Sequence, residues 1–337
     1  MGLVSLLKKK NSKVLFTTPS HSGRFCLLHK FYQWYRSDIS EVDAYNPQQA
    51  LQKAEKLATE IYGTKYTKFL TNGSTSGILT AILASQPKKI LIWDKSHPCH
   101  KNGAKLSSAE IIEYNLSLDD DLGVYKAITP DYVEKIITKS SADTIVITSP
   151  TYEGFVADIE KIKNICKEKN VTLIVDEAHG ALYPFSDDLP QSAVKYADFT
   201  VQSLHKTAGG INPTALLHSN NIDPTEFLNM ISTTSPSYPM LATIEANIKF
   251  LNSKRGRNHI KNLISEIKKI NIPQLNDDVT KILLKGGEKL SDVLFNKYGI
   301  EDERTNSKTS LLLCGIGTDK KKLERLRKVW ESINDCK

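Results

Sequence analysis

Short apolar runs alternate along the chain with segments whose apolar residues recur at helical spacing. Runs at 66–71, 89–93, 109–114, 144–148, 171–175, 199–203 and 215–218 have the length of buried strands. Between several of them lie amphipathic stretches such as 158–168, where Ile159, Ile162 and Ile165 share one helical face. Strands alternating with helices predict an α/β architecture, with a mostly parallel sheet covered on both faces. Ligands of such sheets collect beyond the carboxyl ends of the strands, so the residues that follow each run are the ones to inspect. After about residue 250 the pattern changes. A long lysine-rich helical stretch over 242–270 leads to a strand over 310–315 and a closing amphipathic helix over 320–333. The expected organisation is an N-terminal arm (1–45), a large domain (46–250) and a small α+β domain (251–337). The arm carries TTPSHSGRF and an aromatic cluster at Phe31, Tyr32, Trp34 and Tyr35.

Composition narrows the class. A chain of 337 residues, 40% hydrophobic and 25% charged, reads as an ordinary globular protein able to bury a substantial core. The net charge of +7 comes from lysines scattered over helical stretches such as 161–169 and 320–328, which read as solvated faces and not as a nucleic-acid surface. Cys26, Cys99, Cys166, Cys314 and Cys336 are odd in number and form no CxxC pair, so neither a disulfide framework nor a metal site is indicated. His97, Cys99 and His100 lack the further ligands that a zinc site needs. The opening MGLVSLLKKKNSK lacks the apolar core of a signal peptide, and no apolar run approaches the roughly 20 residues of a membrane span. The expectation is a cytoplasmic protein with no membrane partner and no nucleic-acid partner.

Three post-strand segments carry candidate chemistry. TNGSTSG (71–77) stands between a strand and an apolar helix, so Ser74, Thr75 and Ser76 offer hydroxyls beside free backbone N–H groups and the positive end of a helix dipole. Those features suit a phosphate, although Ser and Thr also favour helix starts as plain caps. VTLIVDEAHG (171–180) places Asp176 at a strand end, where its carboxylate can pair with a protonated heterocyclic nitrogen. Asp-Glu-Ala-His is also the magnesium box of helicase-type ATPases, but the G-x-x-x-x-G-K-[ST] loop which that reading requires is nowhere in the chain. FTVQSLHKTAGG (199–210) places Lys206 after another strand, with Ser203 and His205 beside it. A Schiff-base lysine, a carboxylate for a ring nitrogen and a hydroxyl-rich phosphate cup are together what pyridoxal phosphate requires.

With these residues in place, the chain resembles the Orn/Lys/Arg decarboxylases of the aminotransferase fold. The resemblance runs in order through TPSHSG (18–23), TNGSTSG, HPCHKN (97–102), SPTYEG (149–154), QSLHK (202–206), STTSPSYP (232–239) and the late stretch 298–319. It implies a pyridoxal-phosphate-dependent transferase fold (fold type I) and decarboxylation of lysine, ornithine or arginine. It also implies roles. Ser74, Thr75 and Ser76 bind the phosphate, with Ser203 and His205 closing the cup, and His100 stacks on the pyridine face. Asp176 pairs with the ring nitrogen above Ala178, and Lys206 forms the Schiff base and later moves protons. Thr234, Ser235 and Tyr238 approach the neighbouring subunit's site in a homodimer. The expected form is a short one, without the additional terminal domains of the family's large members. The chain also carries His179 where the decarboxylases usually have Trp, a feature similar to the α-oxoamine synthases, whose histidine bonds the cofactor's phenolic oxygen. Transamination, aldol cleavage and acyl transfer therefore stay open beside decarboxylation, as does a non-catalytic relic of the fold. Arg304 is a further candidate, for a substrate carboxylate, and Glu177 has no assigned role.

Overall fold

The seven apolar runs form one sheet. In the computed structural model, which describes residues 14–20, 36 and 47–334, the strands are β1 (Tyr66–Leu70), β2 (Lys89–Trp93), β3 (Glu110–Tyr114), β4 (Thr144–Thr148), β5 (Thr172–Asp176), β6 (Phe199–Ser203) and β7 (Ala215–Ser219). Their spatial order is β1-β7-β6-β5-β4-β2-β3, and β7 alone runs antiparallel to its neighbours. The aromatic cluster of the arm and the end of the TPSHSG segment lie outside the described residues.

Strand alternation explains both covering layers. Ile90, Ile92, Val146, Ile174 and Val201 face one side and pack with Ile78, Ala81 and Ile82 of helix α2 (Gly73–Ser85), which follows α1 (Pro47–Tyr62). Leu91, Ile145, Ile147, Leu173 and Val175 face the other side. There they meet α4 (Pro130–Ser140) and α5 (Ile159–Glu168), α3 being Pro98–Leu106. Asp158 caps α5 by accepting from the Lys161 N–H at 3.1 Å.

The lysine-rich stretch is two helices, α6 (Tyr238–Asn252) and α7 (Lys254–Lys268), and not the continuous one its periodicity predicts. Ser253 breaks it: its hydroxyl accepts from the Gly256 N–H at 3.1 Å and caps α7. A Cβ on Gly256 would stand 2.0 Å from the Phe250 carbonyl, so only glycine allows the sharp turn there. A second, antiparallel sheet follows, ordered β8-β10-β9 from β8 (Lys281–Lys285), β9 (Arg304–Thr305) and β10 (Thr309–Leu313). It packs with α7, α8 (Gly287–Asn296) and α9 (Lys320–Asn334) around Leu263, Ile282, Leu290, Leu312 and Leu326.

The first described residues belong to this second core. Val14–Leu15 pairs in parallel with Ile300–Glu301, and Phe16 is fully buried among its side chains. Ser20 then ties this segment to the turn that carries Lys206. Its N–H donates to the His205 carbonyl at 2.8 Å, and its hydroxyl accepts from the Gly209 N–H at 2.9 Å.

Candidate active site

The carboxyl ends of β1, β2, β4, β5 and β6 open on one cavity of about 630 Å³. Asp176 is the last residue of β5, and Lys206 stands on the helical turn Leu204–Thr207 directly after β6. Both line the cavity, together with Ser74 and Thr75 at the start of α2 and Ala178, His179 and His205. The sequence-derived residues thus converge from separate strands, with three exceptions. Ser76, Ser203 and His100 do not line it.

His100 sits behind Asp176 and not over the cavity. Its ring is fully buried, and Nε2 lies 2.9 Å from the Asp176 carboxylate. Burial alone would raise the Asp176 carboxyl. The His100 hydrogen bond and charge, Lys206 and the Ala178 N–H outweigh burial and hold the carboxyl below its usual range. The ring expected to stack on the cofactor therefore braces the carboxylate instead.

Of the two histidines at this helix start, the one that lines the cavity is His97, one helical turn earlier and outside α3 as its N-cap. Burial lowers its pKa, so it is the neutral ring. Its Nδ1 lies 2.9 Å from Cys99 Sγ and accepts from the Cys99 N–H at 3.3 Å. Burial pushes the Cys99 thiol up to about 12, so the thiol keeps its proton and donates to that nitrogen. The proton of His97 is thereby assigned to Nε2.

His179 accepts a hydrogen bond from Lys206, with Nζ 3.1 Å from Nε2, and its ring meets Tyr152 edge-on at 4.7 Å. Burial, then the Lys206 charge, hold its pKa far below that of a free imidazole, so it stays neutral beside the lysine. Ser203 Oγ is buried at the end of β6 with no partner, and His205 Nδ1 reaches the Thr214 carbonyl at 3.2 Å. The Ser76 hydroxyl donates back to the Gly73 carbonyl at 2.8 Å. Ser76 instead lines a second cavity, of about 480 Å³, with Thr234 and Tyr238; Asn72 borders both cavities. Ser235 is exposed beside it.

Glu177 points away from this chemistry. It accepts from Ser192 Oγ, the Ala193 N–H and Gln202 Nε2, each at 2.6 Å. Burial pushes its carboxyl up to about 7. A carboxyl raised on folding costs stability once pH passes its unfolded value of about 4.5, and the full penalty is present above about 7. Glu177→Gln should therefore gain stability relative to wild type between pH 5 and 8, by up to about 3 kcal/mol. Thermal unfolding of both proteins across that range checks this, and a difference independent of pH would refute it.

A family model described as Orn/Lys/Arg decarboxylase, major domain, matches residues 6–290. The chain belongs to the Orn/Lys/Arg decarboxylase family. An arginine decarboxylase of Bacillus cereus is 27% identical over 308 residues, covering 82% of this chain and 67% of that protein. The constitutive lysine decarboxylase of Escherichia coli is 26% identical over 294 residues, covering 74% of this chain and 40% of its own length. The chain thus spans about two thirds or less of these relatives. The solved structure of an E. coli constitutive lysine decarboxylase superposes with a TM-score of 0.72 at 20% identity, over 99% of this chain and 60% of that one. The architecture is the pyridoxal-phosphate-dependent transferase fold, fold type I.

The cofactor of this family is pyridoxal 5′-phosphate, and the residues present fit it. A buried carboxylate (Asp176) lines the cavity, and the start of an α-helix brings the Ser74 and Thr75 hydroxyls to it. A lysine amine, held by a neutral histidine, completes the set. The sequence missed His97, Trp93, Tyr152 and Glu153, all of which line the cavity.

Proposed function

We propose that this protein is a pyridoxal-phosphate-dependent carboxy-lyase acting on a basic amino acid: lysine, ornithine or arginine. The observation that carries this reading is the convergence of Asp176, braced by His100, and Lys206, held by His179, on one cavity. The names of the arginine and lysine decarboxylase relatives support the substrate class. When bound, the cofactor supplies a sink for the electron pair left on Cα as the carboxylate departs.

The chain's own residues make that sink effective. Asp176 keeps a proton on the ring nitrogen, and His100 keeps Asp176 ionised. Ser74, Thr75 and the free N–H groups of α2 would hold the phosphate, with His205 beside them on the cavity wall; Ser203, buried behind that wall, is left out of the cup. His97, on the cavity wall, would be the imidazole available to the ring. Lys206 would hold the cofactor, and its amine is the group placed to move a proton at Cα. His179 accepts from Lys206 and so fixes where that amine points. Leu283, Leu311 and Val124 add apolar walls that keep water from the reacting carbon.

We read 46–250 as the cofactor-binding domain and 251–337 as the small domain, in a cytoplasmic homodimer. Thr234 and Tyr238 line the second cavity, which Asn72 joins to the first, and this supports a neighbour's approach there. Light scattering should report a dimer, and a fully active monomer at low concentration would refute the assembly. The reaction is tested by release of carbon dioxide from lysine, ornithine and arginine by purified protein supplied with the cofactor. Turnover of an amino acid without such release would assign another reaction of the same fold.

A further inference from the structure

The decarboxylase reading leaves open what recognises the far end of the substrate. Among the described residues, only two carboxylates line the cavity, Asp176 and Glu153. Asp176 is committed to His100 and to the cofactor. Glu303, next to Arg304 in the chain, is also spent, since it accepts from Tyr152 Oη and from the Thr18 N–H, both at 2.7 Å.

Glu153 is different. It stands on the turn after β4, whose backbone is clasped from the second sheet's side: the Asp277 and Asp278 N–H groups donate to the Gly154 carbonyl at 3.0 and 3.1 Å, and Lys281 Nζ to the Thr151 carbonyl at 3.1 Å. Its side chain is 13% exposed, and among the described residues its ion-pair partner is Arg304, with Nη1 3.5 Å from Oε1. That separation is long for a charge-assisted bond, and the Arg304 side chain is 59% exposed. Pairs of this kind are weak and easily exchanged. The guanidinium also lies 5.1 Å above the Tyr152 ring, which gives it a resting place. A largely buried carboxylate that faces a cavity, paired to a loosely held surface cation, is a site for exchanging one cation for another. The same cavity offers Leu283, Leu311 and Val124 to the methylenes of an aliphatic spacer.

We infer that Glu153 selects substrates with a terminal cation, and that Arg304 holds its place until such a substrate arrives. This deepens the decarboxylase reading and rests on it.

The test uses the holoenzyme and two probes of equal chain length that carry no carboxylate to lose: cadaverine, a linear diamine, and pentylamine, which lacks the second charge. Both are followed by calorimetry. Glu153→Gln keeps the side chain's shape and should weaken cadaverine by about tenfold or more while moving pentylamine less than about twofold. The same variant should raise KM for the basic amino acid by a similar factor with kcat nearly unchanged. Arg304→Met, which removes the resident cation, should tighten cadaverine. Equal losses for both probes, or none, in Glu153→Gln would overturn the assignment of Glu153. Unchanged or weaker cadaverine binding in Arg304→Met would overturn the place-holding role of Arg304. If the wild-type protein releases no carbon dioxide from any basic amino acid, the reaction reading fails; if it does and Glu153→Gln changes nothing, only this inference fails.

Discussion

Lys206→Ala should lower turnover by at least about a thousandfold, because among the described residues no other amine is free to take its place. Lys95 lines the cavity but lies 3.3 Å from the Asp94 carboxylate. Lys281 is fully buried, and burial lowers its pKa to about 8, yet its Nζ is committed to the Thr151 carbonyl and it does not line the cavity. The fold should survive, since among the described residues the Lys206 amine makes a single hydrogen bond, to His179, worth about 1 kcal/mol. Borohydride reduction of the wild-type holoenzyme, followed by peptide mapping, should place the cofactor on Lys206. A label at any other lysine, or a variant retaining substantial turnover, would overturn the assignment.

The second large effect concerns Asp176. Asp176→Asn keeps the shape of the side chain and removes its charge, so the ring nitrogen loses the partner that keeps it protonated. Activity should fall by about two to three orders of magnitude, the loss seen when one preorganised electrostatic partner is removed from a reacting system. Cofactor affinity should change far less, because the phosphate contacts stay. His100→Ala separates the brace from the carboxylate it supports. Without that hydrogen bond and charge the Asp176 carboxyl rises towards the value burial would impose, so the acid limb of the pH–activity profile should move to higher pH. An unmoved profile in His100→Ala, or near wild-type activity in Asp176→Asn, would remove both residues from the electrostatic account.

The large sheet was legible because its strands are short apolar runs, and four of them, β4 to β7, are buried along nearly their whole length. The runs at 89–93, 144–148 and 199–203 match observed strands residue for residue. By contrast KILLK, which forms β8, is flanked by lysines and went unread, as did α1. The site was legible as far as strand ends are legible. Asp176 and Lys206 end up together because both follow parallel strands of one sheet.

Side-chain direction was harder to read. His97 and His100 are three apart at a helix start, and pattern alone does not say which is the cap over the cavity and which lies a turn inside. Ser76 looks like Ser74 in the sequence, but one turn into a helix its hydroxyl finds the Gly73 carbonyl first. Glu177 adjoins Asp176, and strand alternation sends the two carboxylates to opposite sides. Glu153 escaped notice because what matters about it is a partner at position 304, on the other sheet.

The bonds made by Ser20 give this architecture a particular order of assembly. Ser20 reaches the Lys206 turn across a sequence separation of 185 residues, and its carbonyl also accepts from the Gly317 N–H at 3.1 Å. Three remote stretches of chain must therefore meet before that turn is anchored, and contacts of such separation are the slow ones to form. A chain trimmed within 14–20 would keep every residue that lines the cavity and lose one of the clasps on the lysine-bearing turn, so it should take up the aldehyde less tightly than the intact chain.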